Sequence, residues 1–449
     1  MENQEAEENT EEEELSREWV MDYFRIRDNP IIKANPEVGE ELIQTLQKKG
    51  QAFEGGAVRD QVIGQGVAGR TDWIVVRVEL KPGEETPVNM KQRAMNPDDS
   101  TQLTAQLKLW QEQDLIRPID SEWKSAPLSV AKKNTAAKRF IIDLRPLNAK
   151  CKKINLYIGS VEQNLQKLHG IEVVSTIDMS NGFGVLPIAE EDQHYFAFTT
   201  PNQGSWAFKR LPNGWVNSPA YYTRYMARLI STLPVGKVLL YIDDVLLYSE
   251  DPTGRQMVRL IGKFLDRVIQ SGGKINVAKS EFLRTKVKYL GFVVGKNGIL
   301  MDPKYRQALV DFPLPKLPKA LARFLGMVQY YKHFLKDLSK DSGDLHKLKT
   351  QTFSEMPTWV VQAFKRIKQS VLNSEALVAP KFTTLQQNPF IVGLDFSIKA
   401  NGVTLSQVQK GKDGKEHQRL LYCFGRKKTH QPAKIISHTK EKQERSSGL

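Results

Sequence analysis

One run of residues limits this chain more than any other: Val238-Leu239-Leu240-Tyr241-Ile242-Asp243-Asp244-Val245-Leu246-Leu247-Tyr248. Two adjacent carboxylates interrupt an otherwise apolar stretch. An unpaired buried carboxylate either costs several kcal/mol, on the order-of-magnitude scale for burying charge, or takes up a proton. A hairpin with the pair at its tip exposes both groups and removes the conflict. A bound divalent cation removes it too and keeps both charged at neutral pH. An Asp-Asp pair alone is commonly only a turn, but matched apolar arms on both sides make a functional tip an equal reading.

A third carboxylate ends a second strand. Ile171–Ile177 is a β-branched run that closes on Asp178. If the two strands lie side by side, three carboxylates meet at one sheet edge. Hard oxygen donors in that number suit Mg²⁺, which keeps water and phosphate oxygens in its remaining positions.

The rest of the chain reads as mixed helix and strand. Helices are expected near Glu40–Lys48, over Asp99–Glu112, Pro219–Leu229 and Gln256–Gln270, and again where Leu321, Phe324, Leu325, Val328 and Tyr331 recur at helical spacing. Strands are expected over Trp73–Leu80, Leu128–Ala131, Arg139–Leu144, Tyr195–Thr200, Ser205–Leu211 and Phe390–Val408. Val287–Val294 and Gly298–Met301 read as a hairpin turned at Asn297-Gly298. Gly55–Gly69 reads as loop. Asp341-Ser342-Gly343 matches an aspartic-protease tripeptide but lacks flanking apolar strands, so it is expected to be a loop.

Charge points to a polyanionic partner. The first 18 residues hold nine Glu and one Arg, a net −8, so residues 19–449 carry +22 of the chain's overall +14. A solvated basic surface would give the same number. Cys151 and Cys423 are the two cysteines, far apart, which argues against a disulfide scaffold and suits a reducing compartment. No Cys/His cluster has zinc-ligand spacing, no apolar run approaches membrane-span length, and the acidic N-terminus lacks a signal pattern.

Several motifs then agree in order. Tyr241-Ile242-Asp243-Asp244 resembles the Tyr-x-Asp-Asp motif of reverse transcriptases. Ser175–Phe183 resembles the first carboxylate motif of that family, and Leu211–Ala220 its Leu-Pro-x-Gly…Ser-Pro motif. Lys132–Asn148 resembles the fingers motif, and Gly273–Lys279 and Tyr289-Leu290-Gly291 the segments after the Asp pair. Phe324–Met327 and Tyr330–Phe334 resemble the corresponding stretch of gypsy-type LTR retrotransposons. Over roughly residues 75–440 the chain is similar to the Pol polyprotein of such an element, itself related to retroviral reverse transcriptases.

That resemblance implies an α+β fold: a right-hand polymerase of fingers, palm and thumb, followed by a partial ribonuclease H-like α/β segment. The expected divisions are an acidic disordered tail (1–35), an N-terminal extension (36–90), fingers and palm (91–300), thumb (301–350) and a truncated connection or ribonuclease H-like segment (351–449). The implied activity is RNA-directed DNA polymerisation by a two-metal mechanism. Asp178, Asp243 and Asp244 would be the catalytic and metal-binding groups, holding two Mg²⁺ ions for which Mn²⁺ can substitute. Phe183 would lie under the incoming sugar and exclude a 2′-hydroxyl. Arg139, Lys132 and Lys133 would bind the triphosphate, and Asn213 would offer an amide where retroviral relatives carry Gln. Lys274 would protonate the pyrophosphate leaving group.

The implied partners are an RNA or DNA template with its primer and deoxynucleoside triphosphates, with no membrane; the oligomeric state stays open. The implied residence is the cytoplasm, virus-like particles included. Asp395 resembles the first acid of a ribonuclease H site, but Phe396 follows where the family has Ala, and only Ser437–Glu444 lies near the place of a second acid. Ribonuclease H activity is therefore not expected. The alternative is a catalytically inactive, nucleic-acid-binding retrotransposon remnant.

Overall fold

The computed structural model describes residues 15–54, 69–92, 94–131, 138–156, 158–335, 338–348, 357–377, 389–396, 400–410 and 416–427. The chain divides into two compact units, Met1–Ile299 and Leu300–Leu449.

The first unit opens with three helices, α1 (Arg17–Tyr23), α2 (Pro30–Ala34) and α3 (Pro36–Lys48). Ser16 caps α1 by accepting from the Trp19 amide, and Asn29 caps α2 by accepting from the Ile31 amide at 3.0 Å. Val38, Leu42, Ile43 and Leu46 recur every three to four residues and are buried. The expectation of a disordered tail over 1–35 is corrected from Leu15 onward. Val20, Phe24, Ile26 and Ile31 belong to the core, and the Phe24 ring packs 5.0 Å from Phe53 and 5.2 Å from Phe282. The Glu-rich residues 1–14 lie outside the described residues, and their composition does not extend to the apolar stretch that follows them.

Residues 73–80 were expected as a strand. They run without a ladder and make only isolated bridges, Val76 with Ile188 and Leu80 with Cys151. Next come α4 (Pro97–Glu112), β1 (Ile116–Pro118) and the antiparallel pair β2 (Pro127–Ala131) and β3 (Lys138–Ile142), joined through residues outside the described set that include Lys132 and Lys133. Short helices α5 (Arg145–Lys150) and α6 (Val161–Gln166) lead to β4 (Val173–Asp178), β5 (Ala197–Thr200), β6 (Gly204–Phe208) and α7 (Ser218–Ile230). The Asp-Asp hairpin is β7 (Val238–Tyr241) and β8 (Asp244–Ser249), followed by α8 (Arg255–Gln270) and β9 (Glu281–Arg284).

The central sheet has the order β7-β8-β4-β9, with every pair antiparallel. Helices α7 and α8 pack on it and on each other. Tyr222, Tyr225, Met226 and Leu229 of α7 and Met257, Ile261, Phe264 and Leu265 of α8 are fully buried. Each such side chain contributes about 1.5–3 kcal/mol of transfer free energy as an upper estimate. This packing fixes the ends of the two central strands, where Asp178 and Asp244 sit. The β4–β9 ladder is broken by a register shift, and two hydroxyls bridge the gap: Ser280 Oγ accepts from the Asp178 amide at 3.0 Å and Ser175 Oγ from the Leu283 amide at 3.0 Å. A hairpin of β10 (Lys286–Tyr289) and β11 (Phe292–Gly295) follows. It turns through Leu290 and Gly291, both at positive φ as a two-residue hairpin loop of this type requires.

After β12 (Gly298–Met301), the second unit holds α9 (Pro303–Val310), α10 (Pro318–Tyr330), α11 (Leu338–Leu345), α12 (Thr358–Leu372) and an antiparallel meander of β13 (Phe390–Phe396), β14 (Ala400–Lys410) and β15 (Glu416–Lys427). The spaced face of α10 is buried as expected. The Phe324 ring lies 4.5 Å from Phe364 and 5.3 Å from Phe312. Asp341-Ser342-Gly343 is not a loop: it lies inside α11, and Arg366 Nε donates to Asp341 Oδ1 at 2.7 Å. Asp395 is on β13 opposite Gly402, with only its backbone place described, and Ser437–Glu444 lies outside the described residues. Among the described residues no helix is long and apolar enough to cross a membrane.

Candidate active site

The hairpin tip is tighter than a general Asp-Asp turn. Tyr241 pairs with Asp244, so the loop is only Ile242 and Asp243, and Ile242 adopts φ +58°. A β-branched residue in the left-handed region carries about 1–3 kcal/mol of strain. The arms hold it there: Leu239, Val245, Leu246 and Leu247 are buried, and Asn164 Nδ2 donates to the Leu240 carbonyl at 3.1 Å. Ile242→Gly relieves that strain but also removes a side chain packed against the core, so unfolding stability is expected to change by less than about 1 kcal/mol. Denaturant titration checks this; a loss of several kcal/mol would show that the packing of the side chain outweighs the strain of the turn.

On the adjacent strand Asp178 lies directly opposite Asp244, so the two side chains share a sheet face. Asp243, in the loop, lines the same cleft as Asp178. The carboxyls respond to one another. Asp178 is pushed up, by burial first and by Asp243 as a smaller contribution, while Lys279 pulls it down. Asp244 is pushed up to about 6, by burial and then by Asp243 and Asp178. Its surface is open to solvent, so the rise reflects the crowded strand end around the group more than full enclosure.

The cleft measures about 1040 Å³ and is bounded by α4, β3, the turn after β4 and the segment before α7. After Asp178 the chain reverses at Asn181, which takes φ +41°, and enters a short 3₁₀ turn over Gly182–Val185. This reversal brings Phe183 onto the wall shared with the carboxylates, and Asn213 is exposed on the same cleft. Arg139 pairs with Val130 in the β2–β3 ladder, which fixes its backbone place only.

Lys274 is drawn the other way. Its Nζ donates to the Gln51 carbonyl, burial lowers its pKa, and it is absent from the cleft lining. Lys279, five residues on, lines the cleft with Nζ 3.7 Å from Asp178 Oδ1. Among the described residues no three acidic or imidazole groups close into a ready-made ligand cage. The carboxylates form an open edge instead. An open edge of hard oxygens fits an ion that keeps water and phosphate in its shell.

The comparisons with known proteins agree with this layout. Residues 130–294 match the family model described as "Reverse transcriptase (RNA-dependent DNA polymerase)". Those residues are a reverse-transcriptase domain.

The domain's relatives include the retrovirus-related Pol polyprotein from transposon opus of Drosophila melanogaster, 29% identical over 404 residues, covering 86% of this chain and 38% of that protein. The corresponding polyprotein from transposon gypsy of the same fly is 29% identical over 312 residues, covering 65% of this chain and 29% of that protein. The chain thus spans about a third of the length of these relatives. In three dimensions it is similar to foamy viral protease-reverse transcriptase. The match is at TM-score 0.76 and 20% identity to a complex with double-stranded DNA (93% of this chain, 82% of that one) and at TM-score 0.73 and 20% identity to a complex with an RNA/DNA hybrid (92% and 52%). The fold is therefore that of a polymerase, mixed in helix and strand.

The matched stretch of the reverse-transcriptase domain contains Arg139, Asp178, Phe183, Asn213, Asp243, Asp244 and Lys274. The structure gathers Asp178, Phe183, Asn213 and Asp243 on one cleft, with Asp244 beside them, and leaves Lys274 outside it. Sequence reasoning passed over three cations on that cleft: Lys108 of α4, Lys279 and Arg210. Lys279 was inside a quoted motif without a role. Arg210 is buried, donates to the Gly69 carbonyl, and has its pKa lowered by that burial. Its place beside Lys209 at the end of a strand gave no sign of this in the sequence.

Proposed function

We propose that this chain is an RNA-directed DNA polymerase that extends a primer with deoxynucleotides along a template. One observation carries the reading: Asp178, opposite Asp244 at the end of two central strands, shares with Asp243 of the hairpin loop a cleft with room for a nucleotide. Asp178 and Asp243 would hold Mg²⁺ ions, with Asp244 contributing. When bound, such ions activate a primer 3′-hydroxyl and neutralise charge on the triphosphate. The residues around them position the reactants. Phe183 provides an apolar floor for the sugar, Asn213 an amide at the cleft surface, and Arg139, with Lys132 and Lys133 on the connecting segment, positive charge for phosphate oxygens.

Two lysines compete for protonating the leaving group. Burial lowers the Lys274 pKa, but proton transfer requires reach first. Lys279 is on the cleft and Lys274 is tied to Gln51, so we assign the proton to Lys279. Lys279→Ala should lower kcat by about 10²–10⁴-fold with little change in KM, whereas Lys274→Ala should act mainly on stability. Pre-steady-state incorporation by each variant decides; a larger chemical defect in the Lys274 variant would reverse the assignment.

The overall test is deoxynucleotide addition to a DNA primer on an RNA template in Mg²⁺, beside an Asp243→Asn control. Incorporation lost in the control supports the polymerase. Folded protein that binds primer–template and incorporates nothing would mark an inactive binding remnant.

A further inference from the structure

Tyr222 is a large cleft group to which the mechanism above gives no task. It lies on α7 and is fully buried, yet its side chain contributes to the cleft wall beside Asp178, Phe183 and Asp243. Its ring meets that of Phe183 edge to face, with centroids 5.3 Å apart and planes at 84°. Its far end is wedged under the turn that carries Phe183. A Cβ built on Gly182 would fall 2.7 Å from both Cζ and Oη of Tyr222, too close for any ordinary contact. Tyr222 therefore supports two consecutive residues of one turn.

Its neighbour Tyr225 is fixed differently. The Tyr225 hydroxyl pairs with Ser271 Oγ at 2.8 Å, whereas the Tyr222 hydroxyl has no hydrogen-bond partner among the described protein groups. Packing alone locates the Tyr222 ring, between Tyr225 at 5.8 Å and Phe183 at 5.3 Å. A buried hydroxyl held this way is poor stabilisation. What it does supply is length: the extra oxygen fills the space under Gly182.

We propose that Tyr222 is a positioning residue for sugar selection, setting the height of Phe183 in the cleft and so the room left for a 2′-hydroxyl. This rests on the reading of the chain as a deoxynucleotide polymerase with Phe183 beneath the sugar. Packed aromatic pairs keep fixed geometry, and shortening the lower member lets the upper one sink. A purely structural Tyr222 would affect both sugars alike.

The test is single-nucleotide incorporation by the full chain with deoxy- and ribonucleoside triphosphates, measuring kcat and KM for each. Tyr222→Leu should raise the ribo-to-deoxy ratio of kcat/KM by about tenfold, and Tyr222→Phe, which keeps the ring but removes the oxygen under Gly182, should raise it by less, about threefold. Gly182→Ala should disturb the ratio from the other side of the contact. Combined with Tyr222→Leu its effect should be less than additive, because Leu gives the new Cβ room. Phe183→Ala is the control. If Phe183→Ala relaxes selection while folded Tyr222→Leu and Gly182→Ala keep the wild-type ratio, the positioning role is wrong and the polymerase reading survives. If Phe183→Ala changes nothing, the sugar role of Phe183 falls and this proposal falls with it. Should Tyr222→Leu fail to fold, Gly182→Ala, at a partly exposed turn, decides alone.

Discussion

Asp243→Asn should leave almost no nucleotide incorporation, a loss of at least about a thousandfold, or about 4 kcal/mol of transition-state stabilisation at roughly 1.36 kcal/mol per decade. The same change should make the metal-free protein more stable at neutral pH. Asp178 and Asp244 are both pushed up, Asp244 to about 6, and the Asp243 charge is a cause of both shifts. Unfolded Asp residues titrate near about 3.9, so between that pH and about 6 the folded chain binds more protons than the unfolded one. The stability associated with these groups is therefore intact at low pH and is lost as pH rises through about 6. Removing the Asp243 charge shrinks that loss. In EDTA, the wild-type Tm should fall between pH 4 and 7 more than that of the variant. Adding Mg²⁺ at pH 7 should raise the wild-type Tm and leave the variant nearly unchanged, since a ligand stabilises only the state that binds it. A variant that still incorporates nucleotide, or whose Tm falls more steeply than the wild type's, would take Asp243 out of the site.

The same electrostatics shows why part of this site could be read from sequence and part could not. Asp243 and Asp244 interrupt a strongly apolar run, and Asp178 ends a β-branched one; both are local patterns, and strand pairing follows from them. The buried face of α10 was legible for the same reason, since its spacing is a property of one helix. Lys274 and Lys279 lie in a single motif, and neither spacing nor charge separates them. The separation comes from pairing: Ile275 bridges both Phe53 and Met179, which turns Lys274 toward Gln51, while the short turn at Val277–Lys279 returns Lys279 to Asp178. Phe53 belongs to an N-terminal segment with no local sign of that role. Residues 15–35 were hidden likewise, because the partners of Phe24 are Phe53 and Phe282, remote in sequence. Asp341-Ser342-Gly343 suggested a loop because no apolar strands flank it, but it lies within α11 with Asp341 buried against Arg366.

Phe183→Ala tests the other half of the site, the part proposed to choose the sugar. The ring sits on the cleft wall with the carboxylates, partly exposed, backed by Tyr222 and reached through the Asn181 reversal. A wall of this kind rejects an added hydroxyl by steric contact alone. Apolar pockets that do so reach about a hundredfold discrimination, so replacing the ring with a methyl group should relax selection by up to about that factor. The gain should appear in kcat/KM for ribonucleotides, with deoxynucleotide kcat reduced by much less, because the carboxylates and Lys279 do not depend on the ring. Thermal stability should fall modestly, since the ring is only partly buried and its loss opens space toward the cleft more than within the core. Single-nucleotide kinetics with paired ribo- and deoxynucleoside triphosphates measure the ratio directly. An unchanged ratio in a folded, active variant would place sugar selection elsewhere on the cleft, with Asn213 the next residue to test. A relaxed ratio would establish that the turn beginning at Asp178 sets two properties of the site at once: the charge at its base and the shape of the sugar it admits.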